Sequence, residues 1–166
     1  MSALLDYLQK LKERDNRGAL ADLRCALVES RKHRAWPLLA PFGGIGEEHP
    51  AQVVQTIAAM FANHSLTTGT GNLGDTCRSL MSEDERAEYL QERKIGPMTR
   101  RFQNLLAASR DEVCGRTARL VLFAKAKVVP VNYGQLQSDL LYWSDSVRVR
   151  WAKSFWQAEE KAEDML

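Results

Sequence analysis

Residues 53–64 read VVQTIAAMFANH, and their apolar side chains fall at Val53, Val54, Ile57, Met60 and Phe61. That spacing repeats with the helical period, not with the strict alternation of a strand. The stretch follows the turn-rich PFGGIGEEHP of residues 41–50. The same period extends toward both ends of the chain. Leu4, Leu5, Leu8 and Leu11 form one stripe, and Leu20, Leu23 and Leu27 form another. SEDERAEYL (82–90) opens a helix with Ser82 as N-cap and Glu85 three places on, the pattern of a capping box. GPMTRRFQNLLAASR (96–110) follows a Gly-Pro stop, and Met98, Phe102, Leu105 and Leu106 face the core. DEVCGRTARLVLFAKAK (111–127), NYGQLQSDLLYW (132–143) and SDSVRVRWAKSFWQAEEK (144–161) complete the series. KVVPVNY (127–133) is the one β-rich run, and Pro130 interrupts it. The expected fold is all-α, a compact bundle of about eight helices in a single domain spanning 1–166. The loop HSLTTGTGNLGDT (64–76) divides it loosely into an N-terminal lobe of about 1–75 and a C-terminal lobe of about 76–166. The acidic end EEKAED (159–164) is expected to be a fraying, solvated helix.

The chain has 166 residues, 45% hydrophobic and 27% charged, a globular composition. At this length roughly 70% of the surface of the unfolded chain is buried on folding, so no staple is needed. Cys25, Cys77 and Cys114 are odd in number and far apart, which points to buried thiols, not to a disulfide framework or a zinc site. The opening MSALLDYLQKLKERD mixes acids with bases around no long apolar core, so neither a signal peptide nor a membrane anchor is expected. A reducing cytoplasm fits.

Catalytic patterns are missing. His33, His49 and His64 stand alone beside turns or charged segments, and the sequence holds no HExxH, G-x-S-x-G or paired-cysteine motif. Glu47-Glu48 and Asp84-Glu85 sit at turns or helix starts, where they serve solubility and the helix dipole. Gly69, Gly71 and Gly74 spell G-x-G-x-x-G, but a helix precedes them and no βαβ unit frames them, so a connector is expected in place of a dinucleotide loop. No enzyme, cofactor or metal is expected.

The formal net charge is only +2, so any polyanion site must come from placement. A helical residue turns about 100° per step. Arg17, Arg24 and Arg31, seven apart, then share a narrow sector beside Leu20 and Leu27, with Asp22 and Glu29 turned away. On the helix from Val113 to Val128, Arg116, Arg119 and Lys127 group with Phe123, beside the apolar face of Val113, Leu120, Val121, Ala124 and Val128. Arg101 sits at the edge of its helix's core face and Arg100 further out. From Arg100 to Lys127 there are seven bases and two acids, a local excess of five. Three helices thus carry basic margins beside their buried faces. If these share one side, they make a groove that tracks a sugar-phosphate backbone without reading sequence, with Phe123 as a stacking surface. The bland counterpart is a set of salt bridges on solvated faces. Tyr142, Trp143, Trp151, Phe155 and Trp156 crowd the C-terminal region, mostly as core filler, with one or two as anchors for a protein partner.

Several segments together resemble the CasB family, the small subunit of the type I-E CRISPR Cascade surveillance complex. RGALADLRCAL (17–27) resembles the family's G-x-x-A-x-L-R signature, and NLGDTCRSL (72–80) its short L-G-x-x-L helix start. RRFQNLLAA (100–108) resembles its R-R-F-x-x-L-L segment, and ARLVLFAKAKVVPVNYGQLQSDLLYW (118–143) the stretch ending in L-x-x-D-L-x-x-W. The match runs in order over roughly residues 16–156. The resemblance implies an all-helical, non-catalytic subunit present as two copies, head to tail, in a ribonucleoprotein. It implies bridges to the large subunit and the backbone subunits. It also implies a basic face that supports the guide RNA–target DNA heteroduplex and the displaced strand, stabilising the R-loop; cleavage belongs to a separate helicase-nuclease. Arg24 matches the signature arginine, with Cys25 where a second arginine often follows. Arg100 and Arg101 match the R-R pair, Ala107 stands where another arginine is frequent, and Arg119 falls at a position that tends to be basic. Arg17, Arg31, Arg116 and Lys127 rest on the helical count. The competing reading is a helical adaptor that binds protein and no nucleic acid.

Overall fold

The computed structural model describes residues 2–157, which hold ten α-helices and no named strand. In order these are α1 (Ala3–Glu13), α2 (Arg17–Arg24), α3 (Trp36–Leu39), α4 (His49–Asn63), α5 (Leu73–Leu80), α6 (Glu83–Glu92), α7 (Pro97–Leu106), α8 (Arg110–Lys127), α9 (Tyr133–Leu141) and α10 (Asp145–Ala152). The expected all-α class holds. Two short helices, α3 and α5, account for the excess over eight. The acidic end at 159–164 lies outside the described residues.

Helix α4 is the axis of the core. From Val53 to Ala62 every residue is buried, polar Gln55 and Thr56 included. A helix buried all round must be wrapped by others, and α1, α2, α8 and α9 pack against it. Its buried polar groups are satisfied. Gln55 Nε2 donates to the carbonyls of Gly44 and Gly46 at 2.9 Å each, and Thr56 Oγ1 donates to Gln52 O at 2.6 Å. All three cysteines are buried and free. Burial pushes the Cys77 thiol up to about 12, so it packs as a neutral apolar group.

Four details of local structure depart from the sequence expectation. Helix α2 stops at Arg24 and passes into a 3-10 turn over Cys25–Leu27, so Arg31 lies in a later turn and loses its heptad relation to Arg24. Leu27 is correspondingly half out in solvent. Val128 ends α8 with φ 57° and is exposed, not part of the apolar face. Ser82 Oγ does accept from Glu85 N–H, but the Glu85 carboxylate turns away from Ser82 to α7. Capping boxes occur instead at Asn72/Asp75 and Ser109/Glu112. The glycine loop is tied down where it approaches α5. Asn132 Nδ2 donates to Gly71 O at 2.9 Å, and a β-carbon on Gly74 would stand 2.1 Å from Trp151 O. Gly74 is therefore a contact that lets α5 approach the end of α10. KVVPVNY contributes one isolated parallel bridge, Thr67 to Val131.

Candidate nucleic-acid interface

Helices α7 and α8 pack against each other, and Phe102 and Leu105 of the first and Leu120, Val121 and Ala124 of the second are all buried. Positions beside these buried ones are left at the seam. There Arg101, Asn104, Arg116, Arg119, Leu120 and Phe123 line an open depression of about 460 Å³. Arg116, Arg119 and Phe123 are three and four apart on α8, hence on one face. Arg101 reaches across from α7, its Cζ 4.1 Å from the centroid of the Phe123 ring. This is a cation–π contact.

The three arginines are held differently. Arg116 donates to Asn104 O and pairs with the Glu112 carboxylate. The Ser109 hydroxyl and backbone N–H, together with the Arg116 guanidinium, hold Glu112 below the usual carboxylate range. Arg101 and Arg119 meet no carboxylate among the described residues. Arg119 also borders a second depression of about 440 Å³, more apolar, where Arg24, Leu27, Val28, Asn63 and Leu122 are its neighbours. Arg24 is fixed there by its Nε–H, which donates to Ala62 O at 3.0 Å, an end carbonyl of α4. Four cationic groups from three helices thus border two adjoining hollows with Arg119 between them.

The other four expected residues lie elsewhere. Arg17, exposed at the start of α2, pairs with Asp15 at 3.3 Å, and the isolated surface pair adds little to stability. Arg31 lies in the turn before the 3-10 segment Lys32–Arg34. Arg100 is exposed on α7, and Lys127 is the exposed last residue of α8. None of the four lines either hollow. Asn104 is the wall residue the charge count overlooked. Its place three residues after Arg101 on the same helix face is the signal that finds it.

Neighbouring polar groups are structural. His64 Nε2 lies 2.7 Å from Val129 O and His49 Nε2 2.6 Å from Leu140 O. Arg148 donates to Leu106 O and Ala108 O at 2.8 Å each, closing the C-terminal end of α7. Of the C-terminal aromatic residues, Trp143, Trp151 and Phe155 are buried, whereas Tyr142 is 68% exposed. Among the described residues no cluster of His, Cys, Asp and Glu fits a metal ion, and no helix is long and apolar enough to cross a membrane.

A family profile described as CRISPR-associated protein Cse2 (CRISPR_cse2) matches residues 19–156. No curated protein matches the chain in sequence. Solved structures share its fold. A CRISPR-associated protein of the Cse2 family from Thermus thermophilus is 23% identical, with a TM-score of 0.71 over 95% of this chain and 99% of that one. A chain of a CRISPR RNA-guided surveillance complex is 19% identical, with a TM-score of 0.73 over 98% of this chain and 95% of that one. CasB from Thermobifida fusca is 19% identical, with a TM-score of 0.64 over 92% and 93%. The chain belongs to the Cse2 (CasB) family.

Proposed function

We propose that this Cse2-family chain is the non-catalytic small subunit of a Cascade-type, RNA-guided DNA surveillance complex, and that its basic hollows hold nucleic-acid backbone without reading sequence. The observation that carries the reading is the convergence of Arg24, Arg101, Arg116 and Arg119 from three helices, two of them with no carboxylate partner among the described residues. Guanidinium groups so placed hold their donors ready for phosphate oxygens. Arg17, Arg31, Arg100 and Lys127 act in this reading as outer contacts that draw the strand in. The partners are the guide RNA, the target and displaced DNA strands, the large and backbone subunits, and a second copy of this chain placed head to tail. The whole chain works as one helical domain in the cytoplasm. Exchange of a DNA duplex for a guide–target heteroduplex is nearly balanced, so a few kcal/mol from backbone contacts tips R-loop formation.

Replacing Arg24, Arg101 and Arg119 together by Ala tests this. Single-stranded DNA affinity should fall alike for all sequences. The log-log salt dependence should flatten by about 0.7 per lost contact. An unchanged salt slope would count against the trough. It would favour the adaptor reading, which the exposed Tyr142 beside the buried aromatic cluster supports as a protein anchor. That reading in turn requires Tyr142→Ala, and not the arginine changes, to release the chain from its protein partners in a pull-down.

A further inference from the structure

We infer that the hollow between α7 and α8 is a nucleobase pocket, taking one unstacked base against the Arg101–Phe123 pair while the strand's phosphates lie on the surrounding arginines. The inference rests on the backbone-binding reading above and adds what that reading leaves open, a preference for strands whose bases are free of a duplex.

Phosphate contact alone asks for charge on an open, polar surface. The hollow between α7 and α8 has more than that. Its floor is apolar, with Leu105 and Leu120 both nearly fully buried. Its volume of about 460 Å³ lies in the range that admits a small organic group. Phe123 is an aromatic ring left 36% exposed, unlike the buried Phe61, Phe102 and Phe155. Arg101 covers one face of that ring with Cζ at 4.1 Å, so the two side chains present a broad stacking surface, cationic on one side. Bases stack on aromatic rings and on arginine planes alike, and every base has a π-face to offer.

The rest of the wall suits the same occupant. Arg116 is braced by Glu112 and by Asn104 O, so it is fixed in position at the rim. Arg119, with no carboxylate partner among the described residues, stands between this hollow and the one bordered by Arg24. It is placed to meet the phosphate next to the seated base. The Asn104 side-chain amide, exposed at the mouth and without a hydrogen bond among the described residues, offers both a donor and an acceptor to a base edge. Within a duplex both faces of a base are covered by its neighbours. Only a strand with a base turned out of the stack fits this site.

Fluorescence anisotropy with two labelled probes of about 12 units tests the inference on the full-length chain. One is oligo-dT, and the other is an abasic strand with the same number of phosphates. The wild type should hold oligo-dT about tenfold more tightly. Phe123→Ala and Phe123→Leu should bring the two affinities together, and Phe123→Trp should keep them apart. Phe123→Leu retains apolar bulk, which separates loss of the ring from loss of packing. Equal affinity of the wild type for both probes would overturn the base pocket and leave the backbone reading standing. A preference for oligo-dT that persists in both Phe123→Ala and Phe123→Leu would also overturn it, by placing the base elsewhere. Failure of both probes to bind would overturn both readings.

Discussion

Helices α7 and α8 use charge at two places and in opposite ways. At the N-terminus of α7, Glu85 arrives from α6, only 6% exposed. Its carboxylate accepts from Met98 N–H at 3.1 Å, and from Thr99 N–H and Thr99 Oγ1 at 2.9 Å each. Gly96 and Pro97 at the helix start have no side chain able to cap, so a carboxylate from the preceding helix satisfies the orphan donors and meets the positive end of the dipole. At the seam between the two helices, Arg101 rests on an exposed ring and Arg119 stands without any carboxylate partner among the described residues. A buried charge survives folding only when its partners are complete. An exposed guanidinium has no such requirement, and its open donors remain available to a ligand. The first arrangement is architecture, and the second leaves its donors open.

Glu85→Ala should give the largest loss of stability. It leaves two buried backbone N–H groups and a buried hydroxyl without their acceptor, at about 1–3 kcal/mol apiece when uncompensated. A total of about 3–5 kcal/mol is expected, a fall in thermal midpoint on the order of 10 °C. A midpoint unchanged within 2–3 °C, by roughly the same scale, would remove the distinction between the two uses of charge. Asp139→Asn is the intermediate case. Asp139 is 2% exposed and accepts from Trp151 Nε1 at 2.8 Å and Gln135 Nε2 at 2.9 Å, with Arg150 at 3.5 Å. Asparagine keeps one acceptor and loses the other, so denaturant melts should show a loss of about 1–2 kcal/mol. An effect as large as that of Glu85→Ala would mean that the Arg150 contact, and not the neutral donors, dominates at Asp139.

The helical class was legible from periodicity because stripes such as Leu4, Leu5, Leu8 and Leu11 report burial directly, and all four are buried. The grouping of Arg116 and Arg119 with Phe123 was legible for the same reason, since one unbroken helix carries all three. Counting along a helix fails once the helix ends. Arg31 falls outside the count because α2 gives way to a 3-10 turn after Arg24. Nothing local marks that break, since Cys25-Ala26-Leu27 has ordinary helix formers. The Glu85 contact was illegible for a different reason. The Ser82/Glu85 spacing fits a local capping box, but the competing donors at the start of α7 reach Glu85 through a tertiary contact. Gly96 favours that outcome. A β-carbon there would stand 2.4 Å from Glu85 Cγ, so the absent side chain makes room for the carboxylate. The pairing of Arg24 with Arg119 across a hollow likewise depends on how α2 and α8 sit around α4, which spacing within one helix does not encode.

Arg119→Ala should have the smallest effect on folding and bears most directly on the contrast. Arg119 is exposed, caps no helix end and neutralises no carboxylate among the described residues, so its loss should change unfolding free energy by no more than about 0.5 kcal/mol. It is also the one cation among the described residues that borders both hollows, so the same substitution should weaken single-stranded DNA binding more than Arg100→Ala, which removes an exposed arginine of α7 that lines neither. The pair of measurements separates the alternatives. Stability kept with binding lost assigns Arg119 to a ligand. Equal binding by the Arg119→Ala and Arg100→Ala proteins would make position along the trough irrelevant and reduce the basic surface to a diffuse field, for which convergence of three helices has no purpose.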